Sequence, residues 1–454
     1  MADNPLLEEF TLPPFSRIKP EHVVPAVDTL LQQNRDEIRQ LLQSVDKPDW
    51  KNFVEPIERL DDRLNRAWSP VSHMNSVVNS DELREAYNAC LPKLSAYATE
   101  MGQNADLYRA YKAVQESDRS LDAAQKKMLE NILRDFHLSG VDLPPAQKQR
   151  YKEISERLST LTSKFSENLL DATHAWTKQI TDESELAGLP PSALDLARQT
   201  AQQRDMDGWL LTLEFPSYYP VMTYADNRDL RYEMYRAYST RASDQGPNAG
   251  EFDNSVLMDE ILALRHEAAI LLGFSNYAER SLAKKMAESP QQVLDFLNDL
   301  ARRSKPQAEQ EFAELETWAR DKHGVDSLQA WDVAYYSEKL RQARYNISQE
   351  ELKPYFPQQM VVQGMFDVVS RLFDVSIRQT DGVDTWHPDV LFYEIRDTEA
   401  GELIGQFYLD CLKAELQAAA DLLDGMVIWG DVAYKKSLFV SPDYWRAHFR
   451  PWVE

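Results

Sequence analysis

The stretch Ser255-Val-Leu-Met-Asp-Glu-Ile-Leu-Ala-Leu-Arg-His-Glu-Ala-Ala-Ile-Leu-Leu272, closed by Gly273, decides the fold class. Ile261, Leu264, Ala268, Leu271 and Leu272 recur at the spacings that bring side chains to one side of a helix. Gly273 suits the left-handed position just past a helix end. Upstream, Val27, Leu30, Leu31, Ile38 and Leu41 predict a helix with Pro25 near its start, where a missing N–H costs little. Ile154, Leu158, Leu161, Phe165 and Leu169 repeat the stripe over about four turns. Ser289-Pro290 reads as an N-cap and first helical position for a helix carrying Val293, Phe296, Leu297 and Leu300.

Strand signal is confined to a few places. Trp209-Leu-Leu-Thr-Leu-Glu-Phe215 is a short candidate. Val390-Leu-Phe-Tyr-Glu-Ile-Arg-Asp397 and Leu403-Ile-Gly-Gln-Phe-Tyr-Leu-Asp410 flank a glycine-containing turn and predict an antiparallel hairpin. Leu143-Pro144-Pro145 and Leu189-Pro190-Pro191 mark joints between elements. The expectation is a mainly α protein with a small antiparallel β element near residues 390–410. It divides into an N-terminal helical region over 1–142, a helical lobe over 143–380, a hairpin segment over 381–410 and a tail over 411–454.

Composition agrees. Hydrophobic residues make up 43% of the 454, enough for a sizeable core, and only 14 residues are glycine, which disfavours glycine-rich β folds and phosphate-cradling loops. The net charge of −24 repels nucleic acid and anionic lipid, so neither is expected as a partner. No apolar run is long enough to span a bilayer, and the N-terminus lacks the basic and apolar regions of a signal peptide. Two cysteines, Cys90 and Cys411, make no disulfide framework, and the expected compartment is the cytoplasm.

Chemistry is harder to find. The eight histidines are scattered, the nearest pair being His137 and His174, so none share a helix face at i, i+4. His266-Glu267-Ala-Ala-Ile270 begins like the H-E-x-x-H of zinc peptidases, but Ile270 stands where the second imidazole belongs. No serine elbow, phosphate loop or dinucleotide fingerprint is present. Tyr218, Tyr224, Arg228, Arg231, Tyr232, Tyr235, Arg236, Tyr238 and Arg241 form an unusual cluster. It reads either as an aromatic and arginine surface in a groove or, more simply, as a packing face with wet hydroxyls.

Several stretches resemble the thimet-oligopeptidase-type zinc peptidases: Arg236-Ala-Tyr-Ser-Thr-Arg-Ala-Ser-Asp-Gln-Gly-Pro-Asn248, Leu271-Leu-Gly-Phe-Ser-Asn-Tyr-Ala278, Phe15-Ser-Arg-Ile-Lys-Pro-Glu-His-Val23, Arg134-Asp-Phe-His-Leu-Ser-Gly140 and Val383-Asp-Thr-Trp-His-Pro-Asp-Val390. The resemblance runs from residue 4 to Asp410. It implies a helix-rich, two-lobed fold with a deep channel, cytoplasmic cleavage of oligopeptides, and zinc held by an H-E-x-x-H helix. That motif has no counterpart here, so no catalytic or metal-binding residue transfers, and this chain alone is expected to hold no zinc and to be inactive. The expected alternative is a noncatalytic peptide-binding module, with Gly405, Phe407 and Tyr408 offering a strand edge. A third reading pairs the chain with a separately encoded catalytic half. The loss of resemblance after Asp410 is expected from a frame shift, a rearrangement or a split gene.

Overall fold

The computed structural model describes residues 4–118, 120–346 and 352–409, together with the backbone at 433–434 and 437–438. The tail expected over 411–454 otherwise lies outside the described residues.

The N-terminal part is built from α1 (Pro20–Ser44), α2 (Glu55–Val77), α3 (Asp81–Gly102), α4 (Ala105–Ser117) and α5 (Ala123–Leu138). Side-chain caps start the last three. Ser80 accepts from the Leu83 N–H, Asn104 from those of Asp106 and Leu107, and Asp122 forms a reciprocal box with Gln125. Pro25 lies inside α1, not at its start: the helix opens at Pro20, before the apolar stripe becomes readable. Leu30, Phe53, Val54, Val114 and Leu129 are fully buried in the two apolar clusters that flank α1.

A long α6 (Pro145–Ala175) packs on α3 on one side and on α10 (Ser255–Leu271) on the other. Asn88 and Arg84 of α3 bond Glu167 and Asp171 of α6. In the buried seam with α10, Asn168 donates to Asn254 at 2.9 Å, and Asn254 in turn donates to the Phe165 carbonyl. Leu169, expected on the buried stripe, is exposed; Asn168 takes the inward position at that level because a polar partner waits there.

Next come β1 (Thr177–Ile180) and β2 (Trp209–Thr212), antiparallel with Ile180 opposite Trp209. The β2 partner was not signalled in the sequence. Gly208 has φ +83, and a Cβ there would sit 2.2 Å from the Ile180 carbonyl oxygen, so the entry to β2 requires glycine. Together with α7 (Pro191–Gln203), α8 (Phe215–Tyr224) and α9 (Arg228–Ser239), these strands enclose a core of Trp209, Leu211, Val221, Leu230 and Met234.

Beyond α10 lie α11 (Tyr277–Leu282), α12 (Pro290–His323), α13 (Ala330–Tyr345) and α14 (Gln358–Phe373). The Ser289 hydroxyl caps α12, and Gly324, at φ +68, ends it. Over its first two dozen residues, however, α12 stands largely in solvent. Phe296 is 67% exposed, Leu297 and Leu300 are also exposed, and Val293 is half-buried; the buried residues of α12 are Leu315 and Ala319, against α13. A three-stranded sheet has the order β3-β4-β5, with β3 (Val375–Gln379), β4 (Leu391–Asp397) and β5 (Leu403–Leu409) antiparallel throughout, and a short antiparallel pairing of Ala433–Tyr434 with Ser437–Leu438 follows it. The hairpin is as expected; β3 is an additional strand. Helices dominate, and the fold is mainly α.

Candidate functional site

Strand β5 is the outer strand of the three-stranded sheet and carries Gly405, Phe407 and Tyr408. In register, Gly405 faces Ile395, Phe407 faces Tyr393 and Tyr408 faces Phe392, with a bulge at Ile395/Arg396. Alternation sends neighbouring side chains to opposite faces. Phe407 stacks on Tyr393 and meets Phe366 of α14, with ring centroids 5.3 and 5.9 Å apart. Tyr408 turns the other way, onto Phe15, Trp386 and Phe392. At Phe407 and Tyr408 both faces of the edge strand are therefore lined by aromatic rings, whereas Leu403, Ile404 and Gln406 are exposed, and the outer row of backbone groups has no strand beside it among the described residues. At Gly405 the closest atom to an added Cβ is Ile395 Cδ1 at 4.0 Å, so nothing crowds the backbone there.

The aromatic cover on the Tyr408 face comes from the far end of the chain. Phe15 lies edge-on to Trp386 and Tyr408, and His73 meets Trp386 at 4.1 Å. Ser16 donates from both its N–H and its hydroxyl to the Asp384 carboxylate. The Tyr408 hydroxyl is buried without a hydrogen-bond partner among the described residues, and burial, aided by Asp384, raises its pKa. Phe15, His73, Asp384 and Trp386 carried no local signal as a group, because tertiary packing alone brings them together.

The tyrosine and arginine cluster resolves as packing. Arg231 is 1% exposed and donates to Asp332, itself fully buried, and to the carbonyls of Ala225 and Trp331. Arg228 makes a two-pronged pair with the same carboxylate, and the Gln329 N–H donates to it as well. Burial works against the Asp332 charge, but the bonds from Arg228, Gln329 and Arg231 outweigh it and hold the carboxyl below its usual range. The Arg231 guanidinium also lies over the Tyr335 ring at 4.0 Å. Elsewhere in the cluster, Tyr218 stacks on Tyr238, and Tyr232 and Tyr235 lean on Trp331. Asp332 was not singled out in the sequence; a lone aspartate near a helix start has no distinctive pattern.

Zinc, which the resemblance implies, needs at least three converging donors. Among the described residues no three His, Cys, Asp or Glu side chains are grouped to hold a metal ion, so these residues do not fit it. At the near-motif on α10, Glu267 is engaged by Arg150 of α6 and Ile270 is exposed. His137 bonds Asp142 and Tyr108, and His323 packs between Trp318 and Tyr336. No described helix is long and apolar enough to cross a membrane.

Comparison with known proteins places these features in a family. Residues 27–148 match the model for the neurolysin/thimet oligopeptidase N-terminal domain, and residues 221–417 match that for peptidase family M3, a few positions past the point where motif reading loses the resemblance. The chain is 55% identical to oligopeptidase A of Escherichia coli over 426 residues, covering 93% of this chain and 62% of the relative. It is 39% identical to a probable cytosolic oligopeptidase A of Arabidopsis thaliana, covering 90% of this chain and 59% of the relative. With the dipeptidyl carboxypeptidase of E. coli the identity is 29%, over 90% of this chain and 60% of that protein. The chain thus spans about three fifths of the length of these relatives, and over that span it belongs to peptidase family M3 as an oligopeptidase A-like protein.

Proposed function

We propose that these residues form the peptide-handling framework of an oligopeptidase A-like peptidase acting in the cytoplasm, and that the 454-residue chain alone binds oligopeptides without cleaving them. The open outer edge of β5 carries this reading. An extended peptide laid beside Gly405, Phe407 and Tyr408 would satisfy its own backbone groups and those of the strand, as in strand addition. Alternation then sets the register of its side chains against the aromatic cover. Hydrolysis by zinc requires donors that these 454 residues do not supply in an H-E-x-x-H pattern. The same reading keeps the division at 142, 380 and 410: a helical base, a helical wall and a sheet that presents the edge.

The test joins binding to turnover. Anisotropy of a fluorescent decapeptide should show saturable binding to the purified chain, weakened at least tenfold by Gly405→Pro, while a quenched peptide stays intact and zinc stays substoichiometric. Stoichiometric zinc with turnover overturns the noncatalytic reading, and absence of binding overturns the edge. EDTA-sensitive cleavage that arises only on adding a separately expressed catalytic half would establish a two-chain enzyme.

A further inference from the structure

The β5 edge has a second property, resting on the same open row that carries the proposed function: it is complementary to itself. Its residues, Leu403-Ile-Gly-Gln-Phe-Tyr-Leu409, include no charge and no proline. Soluble proteins usually blunt an edge strand with lysine, proline or a cover, since bare backbone groups pair readily with another chain. The bulge at the Leu403 end is a partial device of that kind, and it leaves Gly405 to Leu409 in regular register. Leu403 and Ile404 stand exposed beside the row.

Backbone direction decides which groups are on offer. The Thr380 N–H donates to the Phe392 carbonyl, so Phe392 turns its backbone groups to the β3 side. Alternation turns those of Tyr393 and Ile395 to the β5 side, and those of their partners Phe407 and Gly405 back to β4. Gln406 and Tyr408 therefore turn theirs outward. A second copy laid antiparallel, with Gln406 against Gln406, sets outward groups on outward groups; a slip of one residue sets them on inward ones. In that register Leu403 meets Leu409, Ile404 meets Tyr408 and small Gly405 meets large Phe407, each contact occurring twice about a two-fold axis. The 4.0 Å clearance at Gly405 leaves room for the ring, and an aromatic side chain opposite a strand glycine supplies packing that the glycine lacks. The net charge of −24 opposes the approach of two copies, but the seam itself is neutral and salt screens the remainder.

We propose that two copies of this chain pair through β5 in this antiparallel register, and that the dimer occludes the row a peptide would use, so that concentrating the chain weakens peptide binding. The experiment is sedimentation velocity of the full chain. A monomer–dimer equilibrium should appear by about 100 μM in about 0.5 M salt and weaken in about 0.05 M salt. Gln406 is exposed and its side chain reaches only Glu394 of β4, at 3.5 Å, so its replacement spares the core. Gln406→Lys and Gln406→Glu each place like charges directly opposite one another and should each weaken the dimer about three- to fivefold. Mixed in equal amounts, the two variants should associate at least as tightly as the parent. Saturating uncharged decapeptide should dissociate the dimer. A parent that stays monomeric at about 100 μM, undiminished association in both variants, no recovery in the mixture, or species larger than a dimer overturns the pairing. A dimer that persists while peptide is bound overturns the occlusion. Dimerisation without peptide binding supports the pairing and overturns the proposed function, whereas peptide binding to a chain that remains monomeric does the reverse.

Discussion

Helices α1 and α12 make an instructive pair. Both start at a proline and carry apolar residues at helical spacing, over 25 and 34 residues. Yet α1 buries Val23, Ala26, Val27, Leu30, Leu31 and Ile38, whereas α12 buries only Leu315 and Ala319 among its described side chains. The α12 stripe of Phe296, Leu297 and Leu300 is as apolar as that of α1 and faces solvent. Periodicity identifies the face a helix can bury; whether anything covers it depends on what the rest of the chain places there.

The comparison can be broken or sharpened by substitution. The largest effect is expected where the end of the solvent-facing region is anchored. Asp332→Ala leaves Arg231 buried without its carboxylate and should cost about 3–5 kcal/mol in urea unfolding. Next, Leu30→Ala in the covered helix should cost about 2–5 kcal/mol, because the site is fully buried and cannot collapse freely.

A pH titration gives a smaller effect. The carboxyl of Asp332 is held below its ordinary value of 3.8 in the folded chain, so its contribution is present in full above that value and fades as pH falls through the lower folded one. The acid limb of stability for Asp332→Asn should therefore be shallower than that of the parent below about pH 4. The smallest effect belongs to the uncovered helix. Leu297→Ala should change stability by no more than about 0.5 kcal/mol, and a loss comparable to that of Leu30→Ala would mean that α12 is covered in solution. Backbone amides over residues 291–312 should likewise exchange faster than those of α1, readable by hydrogen exchange with mass spectrometry.

Much of the secondary structure was legible because its determinants are local. Ser289 and Gly273 announce the start of α12 and the end of α10, Asn227 caps α9 through the Asp229 and Leu230 N–H groups, and the turn after Asp397 sets the hairpin. Strands β1 and β3 were missed since four or five residues carry little pattern and their pairing is decided at a distance. Pro25 misled because a proline cue marks a helix start in many contexts and α1 tolerates it further in. Of the candidate site, Gly405, Phe407 and Tyr408 were readable as an edge. The cover from Phe15 and Trp386 was not, and neither was Asp332, because each exists only once elements far apart in sequence meet.

The link from Ser16 to Asp384 ties together positions 368 residues apart. During synthesis at about 5–20 residues per second, the first turn of the chain waits roughly 20 to 70 seconds before its acceptor emerges from the ribosome. Until then Phe15 has His73 beside it but no Trp386 or Tyr408, so the nascent N-terminus carries a partly covered aromatic ring through most of translation. Closing that gap is a late event in the maturation of the polypeptide, and a holdase that recognises exposed aromatic segments finds its opportunity in that interval.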